Sequence, residues 1–315
     1  MKRGSRTGVR PFFGCAPGFL LILIGGLAVP AGVAAQQMAI TFDDLPAHGP
    51  LPPGETRIEV ANQVIRALQH AHVPPTYGFV NGVRIEEDPA SGAVLSAWRA
   101  AGFPLGNHTW SHMNLNQHPL EQFEQDIRKN ESLLELQMKD ADWRWLRFPY
   151  LAEGDTLAKR MGIRVYLAQH GYRIAGVTAS FADYEWNEPY ARCAAKHDNK
   201  SIHWLETTYL KAAEEDIGYR HAMSQQLYGR DIPWVLLMHI GAFDARMAPR
   251  LLRLYQSHGI AFVSLADAEK DPFYQYDVDP KILPGADTLE GAMFEKHLPL
   301  PQKKDYSAGL DKVCR

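Results

Sequence analysis

Ala39-Ile40-Thr41-Phe42-Asp43-Asp44 is an apolar run that stops on two adjacent carboxylates. The run predicts a buried strand. Its end places two charges at a sheet edge, where loss of water is costly unless a metal or a basic partner compensates. Three later stretches supply such partners: Gly106-Asn107-His108-Thr109-Trp110-Ser111-His112, Arg147-Phe148-Pro149-Tyr150 and Leu236-Leu237-Met238-His239. Residues 45–54, directly after the acids, hold four prolines and two glycines and read as a surface loop over the strand end.

Outward from this run, strand and helix signals alternate. Thr56 and Glu59 have capping-box spacing ahead of a helix whose Ile58, Ala61, Ile65, Leu68 and His72 share a face. A β-rich run over 76–80 follows, then a helix through Val94, Ala97, Trp98 and Ala101 that Gly102 stops. Pro119 opens the next helix, 145–148 resembles a strand, 156–170 a helix closed by Gly171, and 172–180 another strand. A polar helix over about 201–228, an apolar strand over 233–239, a helix over 248–258 and a strand over 260–264 complete the series. This order predicts an α/β fold with a parallel sheet covered by helices, either a barrel or a doubly wound sheet. Asp44, His108, Tyr150 and His239 each fall just after a predicted strand, and a barrel gathers its strand C-termini at one mouth. The barrel is therefore the expectation.

The chain has 315 residues, 46% of them apolar, enough for a substantial core. Residues 1–35 stand apart: Lys2, Arg3, Arg6 and Arg10 form a basic start, 18–29 an apolar stretch, and Val33-Ala34-Ala35 a small-residue cleavage site. They read as a secretory signal cleaved near Ala35, leaving a secreted or periplasmic protein. The apolar stretch falls short of the ~20 residues a spanning helix needs, so no stable membrane span is expected in the mature chain. Residues 36–270 form the predicted catalytic domain, and 271–315, without clear periodicity, a tail packed on it. Removing the four basic residues of the signal takes the formal charge from −3 to −7, which argues against nucleic acid partners. Cys193 and Cys314 remain in the mature chain, and a disulfide and two free thiols are equally compatible with the sequence.

His108 and His112 are four positions apart, which predicts two imidazoles on one face of a helical turn. With one carboxylate of the Asp43-Asp44 pair they make three N/O ligands, leaving an open position that suits a catalytic Zn²⁺ or another divalent ion such as Co²⁺, Ni²⁺ or Mn²⁺. Neighbouring side chains on an extended strand point to opposite faces, so only one Asp is expected to be a ligand, and the other is free for proton transfer. Arg147, inside a short apolar run, is placed to hold that base ionised. His239 ends the most apolar strand and is the candidate acid for a leaving amine. His48 and His118 read as loop residues.

Taken together, Thr41-Phe42-Asp43-Asp44, His108-Thr109-Trp110-Ser111-His112, Arg147-Phe148-Pro149-Tyr150 and Leu237-Met238-His239 resemble four ordered motifs of the NodB-type polysaccharide deacetylases, a carbohydrate esterase family. The resemblance spans residues 39 to about 268. It implies a distorted (β/α) barrel and removal of N- or O-acetyl groups from a glycan with a divalent metal, usually Zn²⁺. It makes Asp43 the general base and Asp44, His108 and His112 the metal ligands. It makes Arg147 the partner of Asp43, Tyr150 the donor of a backbone N–H to the oxyanion, His239 the general acid and Leu237 a wall of the acetyl pocket. Where the family continues the Asp pair with Gly-Pro, this chain has Leu45-Pro46-Ala47-His48-Gly49, implying a differently shaped rim. The family's remaining motif survives loosely in Asp183-Tyr184-Glu185-Trp186. There Asp183 is a candidate partner of His239 and Trp186 a candidate groove wall, with a turn Asp and a core Trp the competing reading.

The expected substrate is an acetylated amino-sugar polymer or cell-envelope oligosaccharide. The altered rim keeps open an amidase or deformylase acting on a smaller N-acyl compound. A glycan-binding relative without turnover would need neither Asp43 nor His239.

Overall fold

Among the described residues, seven strands form one parallel sheet. They are β1 (Gln37–Leu45), β2 (Gly78–Val80), β3 (Leu105–Asn107), β4 (Trp145–Leu146), β5 (Arg173–Ile174), β6 (Trp234–His239) and β7 (Ala261–Phe262). Six follow the spatial order β5-β4-β3-β2-β1-β6, and β7 pairs with the start of β1. The computed structural model describes residues 35–315 and, before them, only Gly4, Gly8 and Gly14. Apart from those three glycines and Ala35, the signal read over 1–35 therefore lies outside the described residues.

β1 is buried from Met38 to Leu45, and its neighbour β6 is buried over its first five residues. Runs that are apolar on both faces suit the centre of a parallel sheet covered on its outer side. The cover is supplied by α1 (Arg57–His70), α2 (Val83–Glu87), α3 (Gly92–Ala100), α4 (Leu120–Met138), α5 (Leu157–Gln169), α6 (Asn187–Ala195), α7 (Asn199–Tyr228) and α8 (Ala242–Ser257). α1 starts with the reciprocal hydrogen bonds of a Thr56–Glu59 capping box. α8 starts earlier than the sequence predicts, at Ala242 instead of 248, because the side-chain oxygen of Asn187 accepts from the N–H of Phe243 at 2.9 Å. α6 is a separate helix that the sequence pattern does not predict.

The sheet curls into an incomplete barrel. β5 and β6 are its ends, and the chain leaving β5 crosses the gap: Ala179 N–H donates to Val235 O at 3.0 Å and Leu237 N–H to Ala179 O at 3.0 Å. The strand expected over 172–180 thus shrinks to Arg173–Ile174 and one bridge at Ala179. Side chains take over the backbone between them. Arg147 donates to the carbonyls of Ala175 and Gly176, and Glu269 accepts from the N–H of Gly176.

Residues 271–315 carry four short helices or turns and send Tyr274, Leu289, Met293 and Leu310 into the core. Tyr274 Oη donates to Pro233 O at 2.8 Å. Arg192 of α6 donates to the carbonyls of Leu310 and Val313, and Cys193 is joined to Cys314 by a disulfide with Cα atoms 5.1 Å apart. No helix among the described residues is long and apolar enough to cross a membrane.

Candidate active site

The strand C-termini open on a cavity of about 430 Å³ whose lining includes Asp43, Asp44, His108, His112, Tyr150 and His239. Asp43 and Asp44 both face it, contrary to the strict alternation of a regular strand. The reason is a bulge: Phe42 pairs with Gly78 and Leu45 with Val80, so three steps on β1 oppose two on β2. Asp44 absorbs the extra residue at a φ of 62°, in the left-handed region, which turns its carboxylate to the same side as that of Asp43.

His108 and His112 also meet, but not on a helical turn. β3 ends at Asn107, and the two histidines lie in a loop with Thr109 at a φ of 60° and His112 at 58°. Asp126 of α4 pins that loop by accepting from Ser111 N–H at 2.9 Å, and Thr109 Oγ1 accepts from Met113 N–H at 3.1 Å. The rings come to 4.9 Å between centroids. Left-handed backbone at non-glycine residues costs of order 1–3 kcal/mol each and persists where the surroundings impose it. Asp44, Thr109, His112, Tyr150 and Ala182 all carry it around this cavity.

Nε2 of His112 is 3.4 Å and Nε2 of His108 3.6 Å from the same oxygen, Oδ1 of Asp44. Donors around a tetrahedral zinc with bonds of ~2.1 Å are separated by ~3.4 Å. The trio thus fits a divalent ion in spacing as well as in chemistry. The tautomer also fits. The carbonyl of Arg147 can only accept, so Nδ1–H of His108 donates to it at 2.7 Å and leaves Nε2 free to ligate. Burial, then the neighbouring His108, lowers His112 to about 4, which keeps its ring neutral at ordinary pH. Burial alone would raise the Asp44 carboxyl; the hydrogen bond from His48 and the charge of His239 hold it well below the usual carboxylate range.

Arg147 is fully buried, and every nitrogen of its guanidinium is engaged. Nη1 donates to Asp43 Oδ1 and Oδ2 at 3.1 and 3.3 Å, Nη2 to Thr41 Oγ1 at 3.1 Å, and Nε to Ala175 O at 2.9 Å. Burying an ion pair costs several kcal/mol per ion unless its remaining donors are satisfied, and here they are. Opposite, Asp183 accepts from the His239 backbone N–H at 2.7 Å and from its ring Nδ1–H at 3.1 Å. Burial acts to lower the His239 ring, but Asp183 above all, with Asp44 and Asp43, pushes it up to about 10.

Tyr150 stands at the rim, 67% exposed, at a φ of 58° with its ring 4.5 Å from that of His112. Leu237 is buried and lines the cavity. Trp186 does not line it. It is 1% exposed, packs against Phe181, Tyr209 and Tyr306, and donates its indole N–H to Thr208. The aromatic on that wall is Tyr184, 45% exposed, with its ring 5.2 Å from His239.

One lining residue comes from a loop outside the four motifs. His48 enters the cavity and places Nδ1 2.7 Å from Asp44 Oδ2. A signal for it existed, since His48 follows Asp44 by the same four positions that separate His108 from His112.

The sequence model of one family, polysaccharide deacetylase, matches residues 32–166, which hold the motifs of Asp43-Asp44, His108-His112 and Arg147-Tyr150. Among solved structures, the chitin deacetylase of the fungal pathogen Colletotrichum lindemuthianum is 21% identical, covers 74% of this chain and 88% of its own, and has a TM-score of 0.50. The Xyl-CE4 domain of a multidomain xylanase from the hindgut metagenome of Trinervitermes trinervoides is 14% identical, with 78% and 95% covered and a TM-score of 0.50. A mutant of a CE4 family pseudoenzyme with restored enzymatic activity is 14% identical, with 75% and 68% covered and a TM-score of 0.51. At such identities the likeness is one of fold. With the family's sequence pattern over the first three motifs, and a curled parallel sheet carrying His239 to the same cavity, the chain is similar to the polysaccharide deacetylases.

Proposed function

We propose that the protein is a metal-dependent deacetylase that hydrolyses N-acetyl or O-acetyl groups of a glycan, an amino-sugar polymer or cell-envelope oligosaccharide. The observation that carries this reading is the convergence of Asp44, His108 and His112, with donor atoms all within 4.8 Å of one another, in one cavity with Asp43 and His239. One carboxylate oxygen and two imidazoles suit Zn²⁺ best, and Co²⁺, Ni²⁺ or Mn²⁺ are compatible with the same donors. When bound, the ion supplies Lewis acidity toward water and the acetyl carbonyl.

The chain's own residues do the rest. Asp43, oriented by Arg147, accepts the proton of the attacking water. His239, kept protonated through neutral pH by Asp183, gives its proton to the departing amine or alcohol. The backbone N–H of Tyr150 is the donor for the charge that develops on the carbonyl oxygen, and Leu237 walls the acetyl group. Export by the segment 1–35 places this chemistry in a compartment that tolerates the Cys193–Cys314 disulfide. N-terminal sequencing of protein recovered outside the cytoplasm is expected to begin near Gln36.

The test couples metal analysis to acetate release. Protein stripped with a chelator and reloaded with zinc is offered chitooligosaccharides, peptidoglycan, acetylated xylan and small N-acyl amides. Zinc-dependent release from a glycan is expected. Release from the small amides alone would replace the glycan by a smaller substrate, and zinc binding without any release would make the protein a binding relative.

A further inference from the structure

We propose that His48 is a positioning residue of the metal centre, dividing the Asp44 carboxylate so that one oxygen alone is presented to the ion. The inference rests on the metal-dependent reading above and goes beyond it, since the family resemblance assigns nothing to this position.

The two oxygens of Asp44 face different partners. Oδ1 lies 3.4 and 3.6 Å from the imidazoles of His112 and His108, while Oδ2 lies 2.7 Å from Nδ1 of His48. A carboxylate in this setting accepts, so Nδ1–H of His48 donates. An N–H fixed on one oxygen stops the carboxylate from rotating into a two-oxygen grip and aims the other at the histidines. Outer partners of this kind orient ligands around a metal and commonly govern its affinity.

His48 is itself held in place from several sides. Arg57 donates to the carbonyl of His48 at 3.0 Å and to that of Gly49 at 2.7 Å, and Ala47 N–H donates back to Asp44 O at 2.8 Å. Gly49 sits at a φ of 60°, and a Cβ there would lie 3.2 Å from Cβ of Asn187, so α6 fixes the loop's far side. The ring packs 4.6 Å from that of His239 and 6.4 Å from that of Tyr184. A loop residue fastened in this way delivers its N–H to one point.

The experiment measures zinc affinity by competition with a chromogenic chelator, and the visible absorption of the Co²⁺-loaded protein, for the parent, His48→Ala and His48→Asn. Asparagine can place an N–H where Nδ1 stood. We expect His48→Ala to bind zinc ~10–100-fold more weakly, His48→Asn to return close to the parent, and the Co²⁺ band shape to be preserved in both. Circular dichroism confirms that the variants fold. Unchanged zinc affinity in His48→Ala overturns the inference while the metal reading survives. Failure of His48→Asn to rescue, with an altered Co²⁺ spectrum, overturns it in favour of direct ligation. A parent chain that binds no zinc removes both the metal reading and this inference.

Discussion

Asp43 and Asp183 are both buried and each is hydrogen-bonded to one cationic side chain; Asp43 lines the cavity from β1, and Asp183, on the turn before α6, stands behind the lining residue His239. They differ in the partner. Arg147 holds Asp43 with a group that does not release its proton in proteins, so that pairing keeps an anion ready to accept one. Asp183 holds His239, whose proton is labile, so that pairing keeps a cation ready to give one. In the proposed reaction two similar carboxylates thus take opposite duties, set by whether the neighbour can titrate.

The largest expected effect tests the accepting side. Asp43→Asn removes the base and leaves Asp44, His108 and His112 untouched; kcat for acetate release is expected to fall ~10²–10⁴-fold with zinc content unchanged by metal analysis. Parental turnover in that variant would end the contrast. Arg147→Met leaves Asp43 buried without its cation and is expected to cost ~3–5 kcal/mol in denaturant unfolding. A loss under ~1 kcal/mol would mean that water reaches the pair.

The donating side is checked by pH. His239 is pushed up to about 10, so its acid form is present below that pH and is lost as pH rises through it. The alkaline limb of kcat is expected there. Asp183→Asn is expected to move the limb to lower pH and to reduce kcat roughly tenfold. A limb that stays where it was would detach Asp183 from the acid. The smallest effect is at the wall: Tyr184→Ala is expected to raise KM several-fold, about 1 kcal/mol, without a change in melting temperature.

The centre of the fold was legible because it is written in apolar runs. 39–44 and 233–239 became β1 and β6, and the helix starting at Thr56 formed with its capping box. Where backbone groups are satisfied by distant side chains, local propensity misleads. The 172–180 strand gave way to Arg147 and Glu269, and α8 gained six residues at its start through Asn187. The residues gathered at the cavity were also legible, but two of the reasons for placing them there were not. Strand alternation is broken by the bulge at Asp43–Asp44, and the helical turn is a loop held in left-handed conformations by Asp126 and Thr109. Neither a bulge nor a positive φ at a non-glycine residue leaves a mark in spacing. His48 reaches the cavity from its loop, and of the two readings of Trp186 the core position is the one it takes, because both are decided by tertiary packing.

Arg147 enters this chemistry twice, with its carbonyl on His108 and its guanidinium on Asp43. In the proposed reaction the proton acceptor and one metal donor are therefore fastened to the two ends of a single amino acid. His239 has no share in that link: its anchor, Asp183, sits on a separate turn, so its placement relative to the other two depends on how that turn packs.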